Sequence, residues 1–76
     1  MDNTTKFFWA MRRRALEEEL SYNLTLKRLL EKASTAGLYD DEDELMASYI
    51  SLTLDDKINE LKTSLADPDD PANATE

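Results

Sequence analysis

The only glycine of the chain, Gly37, stands between two long segments that both have the pattern of an amphipathic helix. Glycine readily takes the left-handed conformation that ends helices, so Gly37 predicts the end of a first helix, with Leu38 packing back on its last turn. The acidic residues that follow can cap a second helix. Asp41 with Glu44 fits a capping box, and Asp40 is an equally good cap.

The first helix is expected over about 5–36, with Thr4 or Thr5 as its cap, because no proline or glycine occurs from Lys6 to Ala36. Its apolar residues recur at helical spacing: Phe8, Trp9, Ala15, Leu16, Leu20, Leu26, Leu29, Leu30 and Ala33. Asn23 interrupts this stripe. We expect Asn23 to be exposed, the alternative being a polar residue that fixes register in a bundle core.

The second helix is expected over about 41–66. Its apolar stripe contains Ala47, Ile50, Leu54, Ile58, Leu61 and Leu65, widened at the start by Leu45, Tyr49 and Leu52. Thr53 with the carboxylates that follow it also fits a cap, which leaves a three-helix chain with a break near Thr53 as the alternative.

A fold-back at Leu38 and Tyr39 aligns the two stripes as an antiparallel helical hairpin. The pairs it brings together are Leu30 with Ala47, Leu24 with Leu54, Leu20 with Ile58, and Leu16 with Leu61. The predicted fold is therefore all-α, an antiparallel two-helix hairpin that pairs through coiled-coil packing into a dimeric four-helix bundle. A chain of 76 residues is one domain, and its single core rarely supplies more than about 3–5 kcal/mol, so we expect a homodimer or a bound partner.

Charge is distributed unequally along a chain whose net charge is −8. Residues 1–36 carry seven basic and five acidic groups, whereas residues 37–76 carry two lysines and twelve carboxylates. The two helices are thus electrostatically matched to lie side by side. Residues 67–76 contain two prolines and a dense negative charge, which predicts an acidic disordered tail after a hairpin domain of residues 1–66.

Several classes of chemistry are disfavoured by the composition. The chain has no cysteine and no histidine, so we expect no metal site and no cofactor, and the acidic run Asp40–Glu44 lacks the alternating ligands of a calcium loop. No glycine-rich phosphate loop or nucleophile–base pattern is present, and we expect no enzyme activity and no small-molecule substrate. No apolar run is long enough for a membrane span or signal peptide, which predicts a cytoplasmic protein.

The predicted partner-binding residues are Phe7, Phe8, Trp9, Arg12 and Arg13. In the hairpin register the three aromatic residues extend past the end of the second helix, where nothing in the hairpin covers them. Two alternatives stay open. The aromatic cluster could be dimer core only, and the arginines could be neutralised by tail aspartates, namely Asp67, Asp69 and Asp70.

These features predict a small non-catalytic regulatory, inhibitory or adaptor protein, of the kind that plasmids and phages encode, which binds another protein through its helical surface. One alternative is a regulator that binds RNA or nucleoprotein through basic residues of the first helix, namely Lys6, Arg12, Arg13, Lys27 and Arg28. Another is an acidic nucleic-acid mimic that uses Asp55, Asp56, Glu60 and the tail.

The predicted architecture resembles the Rop family of plasmid copy-number regulators in its helix lengths, short loop and acidic tail, with Leu24-Thr25-Leu26 as local likeness. That resemblance implies a dimeric bundle and RNA binding by the first helix. The chain is also similar to the Hha family of nucleoid-protein modulators in Met11–Arg14, in Leu26–Lys32 and in Glu44-Leu45 with Tyr49. Neither resemblance assigns a role to a particular residue.

Overall fold

The computed structural model describes residues 2–73. Helix α1 spans Asn3–Thr35, helix α2 spans Asp41–Leu65, and a short 3₁₀ turn covers Pro71–Asn73. α1 and α2 pack along each other as an antiparallel hairpin, and the described residues contain no strand, which confirms the predicted all-α hairpin. α2 runs without a break through Thr53, so the three-helix alternative is not the one adopted.

The cap of α1 differs from the prediction. Asp2 has an extended backbone, and its carboxylate accepts a hydrogen bond from the Thr5 amide at 2.7 Å. This bond satisfies one of the amides that have no partner inside the helix, so α1 begins two residues earlier than expected. Thr4 and Thr5 lie inside the first turn and were wrongly predicted as caps.

The turn between the helices forms as the glycine predicted. Gly37 has a φ of 70°, its amide donates to the Ser34 carbonyl at 3.0 Å, and the Leu38 amide donates to the Ala33 carbonyl at 3.1 Å. These are the two bonds of a Schellman motif. The Leu38 side chain, however, is 73% exposed, so the predicted packing on the last turn is wrong.

Of the two caps proposed for α2, Asp40 is the one used. Its carboxylate accepts from the Asp43 amide at 2.8 Å. The four acidic residues of the first turn then lie at the positive end of the helix dipole, where negative charge is favourable.

The register of the hairpin can be read from polar pairs that cross between the helices. Glu19 binds Lys57 at 3.3 Å, and the Ser34 hydroxyl donates to the Glu44 carboxylate at 2.6 Å. Both pairs are those that a fold-back centred on Leu38 and Tyr39 brings together. The predicted alignment is therefore confirmed along the hairpin.

The core is a narrow seam. Among residues 2–73, only three hydrophobic side chains, Leu54, Ile58 and Leu61, are buried, and all of them belong to α2. On α1 the side chain buried at this level is Asn23, at 7% exposure, whereas the neighbouring Leu24 is 44% exposed. The prediction of an exposed Asn23 is wrong, because its amide donates to the Glu19 carbonyl one turn earlier at 2.8 Å, which satisfies the amide donor on burial.

Three residues predicted to widen the α2 stripe lie outside the seam. Leu45, Tyr49 and Leu52 are each about 60% exposed. Leu45 precedes the buried Leu54 by nine residues, which is two and a half helical turns, so it lies on the far side of α2. A single facing helix cannot cover both sides.

Residues 67–73, hereafter the C-terminal arm, fold back on α1, contrary to the prediction of a disordered tail. Asp70 of this arm is 1% exposed and pairs with Arg13. No α-helix follows Pro68 in the described residues, as expected, but the prolines do not prevent the arm from packing where the arginines offset its negative charge. The other tail residues, 74–76, lie outside the described part of the chain.

The molecule is a rod of 55 × 17 × 16 Å with a radius of gyration of 17.0 Å. A compact chain of this length would have a radius of gyration of about 11 Å. The elongated shape follows from the pairing of only two long helices, and it leaves most of each helix surface in contact with solvent.

Replacement of Gly37 by alanine tests the turn. Apart from the two flanking residues, no atom of the described chain lies within 4 Å of the position that a Cβ would occupy, so the cost arises from the positive φ. A left-handed conformation costs an ordinary residue about 1–2 kcal/mol, partly offset by the stiffer unfolded chain, so we expect a loss of about 1 kcal/mol in the free energy of unfolding. Urea denaturation followed by circular dichroism measures it. Gly37→Asn should lose less, and an alanine variant as stable as wild type would contradict this account.

Candidate functional site

The five residues predicted to bind a partner separate into two groups. Phe7 and Phe8 are 66% and 60% exposed, whereas Trp9, Arg12 and Arg13 are half-buried. The separation follows from helix geometry, since neighbouring residues point about 100° apart and only one side of α1 faces α2 and the C-terminal arm. Phe8 and Trp9 still touch, with ring centroids 5.7 Å apart in an edge-to-face arrangement.

Arg12 connects three parts of the open end of the hairpin. Its guanidinium carbon lies 5.2 Å from the centroid of the Trp9 ring, a cation–π distance. The same guanidinium donates to the Ser64 carbonyl at 3.3 Å and pairs with the Asp67 carboxylate at 3.6 Å. Arg12 therefore holds Trp9 against the end of α2.

Arg13 binds the most buried side chain of the arm, the carboxylate of Asp70. One oxygen of that carboxylate accepts from both Arg13 and the Ala72 amide, the latter at 3.0 Å, while the second oxygen is buried without a partner. Burial by itself raises the pKa of Asp70, but the Ala72 hydrogen bond and the Arg13 and Arg12 charges outweigh burial. The pKa of Asp70 therefore lies below its usual value.

The rest of the arm is held by Asn73, whose side-chain amide donates to the carbonyls of Leu65 at 2.6 Å and Asp67 at 3.0 Å. The first bond satisfies the Leu65 carbonyl, which has no partner inside α2, and the second joins Asn73 to the start of the arm. The alternative prediction that tail aspartates neutralise the arginines is confirmed for Asp67 and Asp70. Asp69 is exposed, and no ion pair joins it to an arginine among the described residues.

A second surface, which the sequence analysis did not identify as a site, lies on one side of the hairpin nearer the turn. The Glu19–Lys57 ion pair marks this side. Tyr22 and Leu26 follow Glu19 by three and seven residues, and Ile50 precedes Lys57 by seven, so their side chains point to the same side.

We call this surface the shared face, because both helices contribute to it. Tyr22, Leu29, Met46 and Ile50 are between 47% and 65% exposed, and Leu26 is half-buried. The members of the shared face are Tyr22, Leu26 and Leu29 of α1 with Met46 and Ile50 of α2. An apolar surface to which two elements contribute is a typical interaction site.

The opposite side of the hairpin carries more polar pairs, although the partly exposed Leu24 also lies there, three residues before Lys27. Lys27 binds Asp55 at 2.5 Å, and Ser34 binds Glu44 on the same side. The pKa of Lys27 is raised by its hydrogen bond to Asp55. Charged and hydroxyl side chains thus cover the junction of the two helices on this side, while the shared face leaves the junction apolar.

The shared face had a signal in the sequence. Phe8, Ala15, Tyr22 and Leu29 recur at intervals of seven residues, the spacing of a coiled-coil seam. The residue that follows each member of this series faces α2, as Leu16, Asn23 and Leu30 do. α1 therefore carries two adjacent seams, of which α2 covers one.

Neither a metal-binding cluster nor a membrane-spanning helix is found among the described residues. No group of three or more acidic, histidine or cysteine side chains there is arranged to hold a metal ion. None of the helices in that part of the chain has the length and apolar character needed to span a bilayer. Comparison with family models, with curated proteins and with solved structures found no match to this chain.

Titration of Asp70 should release the C-terminal arm. Because its pKa is lowered in the folded chain, its contribution is complete above the unfolded aspartate pKa of ~3.9 and is lost as the pH falls through the lower folded value. Trp9, the only tryptophan, borders the arm, so its fluorescence should change in that pH window while far-ultraviolet dichroism reports the helices.

Two variants distinguish release of the arm from acid unfolding of the whole chain. Asp70→Asn should give the low-pH Trp9 emission already at neutral pH, because the amide cannot neutralise Arg13. Asp69→Asn removes an equal charge from an exposed neighbour and should leave both emission and pH response unchanged. Unaltered Trp9 emission in Asp70→Asn at neutral pH would disprove the role given to this pair.

Proposed function

We propose that this chain is a small non-catalytic regulatory, inhibitory or adaptor protein that acts by binding another protein through its helical surface. The observation that supports the proposal is the imbalance of apolar surface. In the part of the chain that the structure describes, only three hydrophobic side chains are buried, while twelve large ones are between 44% and 73% exposed. Exposed apolar surface of this extent is unusual for a monomer and is typical of proteins that work in complexes.

Phe7 and Phe8, hereafter the aromatic tip, are our proposed contact with the partner. Aromatic side chains contribute much of the binding energy in protein interfaces because they bury large areas with few rotatable bonds. The tip lies at the open end of the hairpin, on the first turns of a helix of 33 residues. It is therefore presented on a stiff support.

The proposed site also includes Trp9, Arg12 and Arg13, which support the aromatic tip. Their contacts with the end of α2 and the C-terminal arm fix the first three turns of α1, which would otherwise extend past α2. Fixing these turns before binding reduces the conformational entropy lost on association. In this proposal the two arginines orient the aromatic tip, and a partner touches chiefly the phenylalanines.

We also propose that the chain acts as a homodimer, as its small core favours. Nucleic-acid binding is less well supported. Among the basic residues expected to contact phosphates, Arg12, Arg13 and Lys27 each bind a carboxylate of the chain itself. Phosphate contacts would have to replace these pairs on a molecule with a net charge of −8.

The aromatic tip can be tested with bait immobilised at the opposite end of the rod. The chain lacks cysteine, so Leu38→Cys at the exposed turn gives one attachment point and directs the tip away from the resin. Phe7→Ala with Phe8→Ala in this bait should weaken capture of the partner from source cells by roughly 30-fold or more, the usual effect of losing a central aromatic anchor.

The matched control is Leu52→Ala, which removes an equally exposed apolar side chain from the far side of α2 and should bind as the parent bait does. Dichroism must show the same helix content in all baits. If the double variant is as helical as the parent and retains full binding, the aromatic tip is not the contact.

A further inference from the structure

We infer that the shared face is the contact between two copies of this chain, and that the two hairpins cross it in antiparallel orientation to form a four-helix bundle. The face consists of Tyr22, Leu26 and Leu29 from α1 with Met46 and Ile50 from α2. The inference does not depend on the partner proposed for the aromatic tip, because the two surfaces occupy different halves of the rod.

The first argument is the area that remains in solvent. The chain exposes 5943 Å², whereas a compact monomer of 8.7 kDa exposes about 4,700 Å². The excess of about 1,200 Å² is larger than the ~800 Å² that each molecule contributes to a standard protein interface. One further hairpin laid along the rod supplies enough surface to cover this excess.

The second argument is the composition of the face and its limits. Along the shared face the helix junction is lined by apolar side chains, and the face ends at the Glu19–Lys57 pair. The polar side of the hairpin, with its Lys27–Asp55 pair, cannot pack against an apolar surface without burying charges. The shared face is therefore the side of the helix junction through which two copies can pack without burying the Lys27–Asp55 charges.

The third argument, from charge, fixes the orientation. The turn end of each hairpin carries five consecutive carboxylates, Asp40–Glu44. A parallel pair would place both runs side by side, where they repel. In an antiparallel pair they lie at opposite ends of the overlap, much farther apart than the ~8 Å over which physiological salt screens charges.

Helix geometry then predicts which residues meet. In an antiparallel pair centred on the shared face, Tyr22 of one copy lies opposite Leu29 of the other, and Leu26 lies near the two-fold axis. The open ends extend beyond the overlap in opposite directions. Because each copy has a net charge of −8, added salt should strengthen the dimer by screening the repulsion between copies.

The mass of the full chain in solution tests the dimer, measured by light scattering over a concentration series. The wild type should reach about twice the monomer mass of 8.7 kDa. Ile50→Glu should raise the dissociation constant of the dimer by roughly 30-fold or more, because it places a charge in the centre of the face. Leu52→Glu makes the same change on the far side of α2 and should dimerise like the wild type.

Three outcomes would overturn the inference. The wild type could remain monomeric throughout the series, Leu52→Glu could disrupt the dimer as much as Ile50→Glu, or Ile50→Glu could leave it intact. Dichroism of Ile50→Glu at low concentration checks that the monomer is still helical. If it is not, Met46→Lys in the same face is the second variant, with the same expected loss of dimer.

Disulfide crosslinking tests the orientation, because the chain has no cysteine of its own. A mixture of Tyr22→Cys and Leu29→Cys should crosslink to each other under mild oxidation faster than Leu29→Cys crosslinks to itself. A parallel pair would reverse that order, because each position would then meet its own copy. The reversed order would overturn the antiparallel arrangement.

Discussion

The interaction on which this structure depends is the seam between two helices, and its narrowness determines most of the other features. Each helix can cover only one side of its neighbour, so two helices of 33 and 25 residues bury only three hydrophobic side chains, Leu54, Ile58 and Leu61. The apolar residues that do not fit in the seam remain in solvent. The rod shape and the shared face both follow from this geometry. At the open end, the first turns of α1 extend past α2 and pack against the C-terminal arm.

Local signals in the sequence were enough to predict the turn and the pairing of the helices, but not the rotation of α1 about its axis. Gly37 and the aspartates after it act on neighbouring backbone groups, so their effect can be read directly from the residues. The rotation cannot be read in this way, because both residues are apolar in each of the neighbouring pairs 8 and 9, 15 and 16, and 29 and 30. Either member of such a pair could face α2. Where only one neighbour is apolar, at Tyr22 and Asn23, the polar residue enters the seam.

The structure places the five residues predicted to bind a partner on different sides of α1, for a related reason. Phe7, Phe8, Trp9, Arg12 and Arg13 all lie within residues 7–13, but a helix directs them to different sides, so Trp9 is half-buried beside the arm while Phe7 and Phe8 remain in solvent. The sequence predicted a disordered tail because the composition of the arm favours disorder. Composition carries no information about contacts between residues that are far apart in sequence. The hairpin brings Arg13 close to Asp70, 57 residues later, so that the buried carboxylate has a cation beside it. The shared face needed both helices in register before Tyr22 and Ile50 could be assigned to one surface.

The division of the rod into two halves has a consequence for binding. If two copies overlap through their turn halves in antiparallel orientation, the aromatic tips lie at the two far ends of one longer rod. A partner with two binding sites, or two partners held together, would then meet two tips on a stiff spacer, and the second contact would form at a high effective concentration. A monomer would offer one tip and bind more weakly without any change in the contact itself. Under these two proposals, dimerisation through the shared face would control the strength of binding at the aromatic tip, although no residue of the shared face would touch the partner.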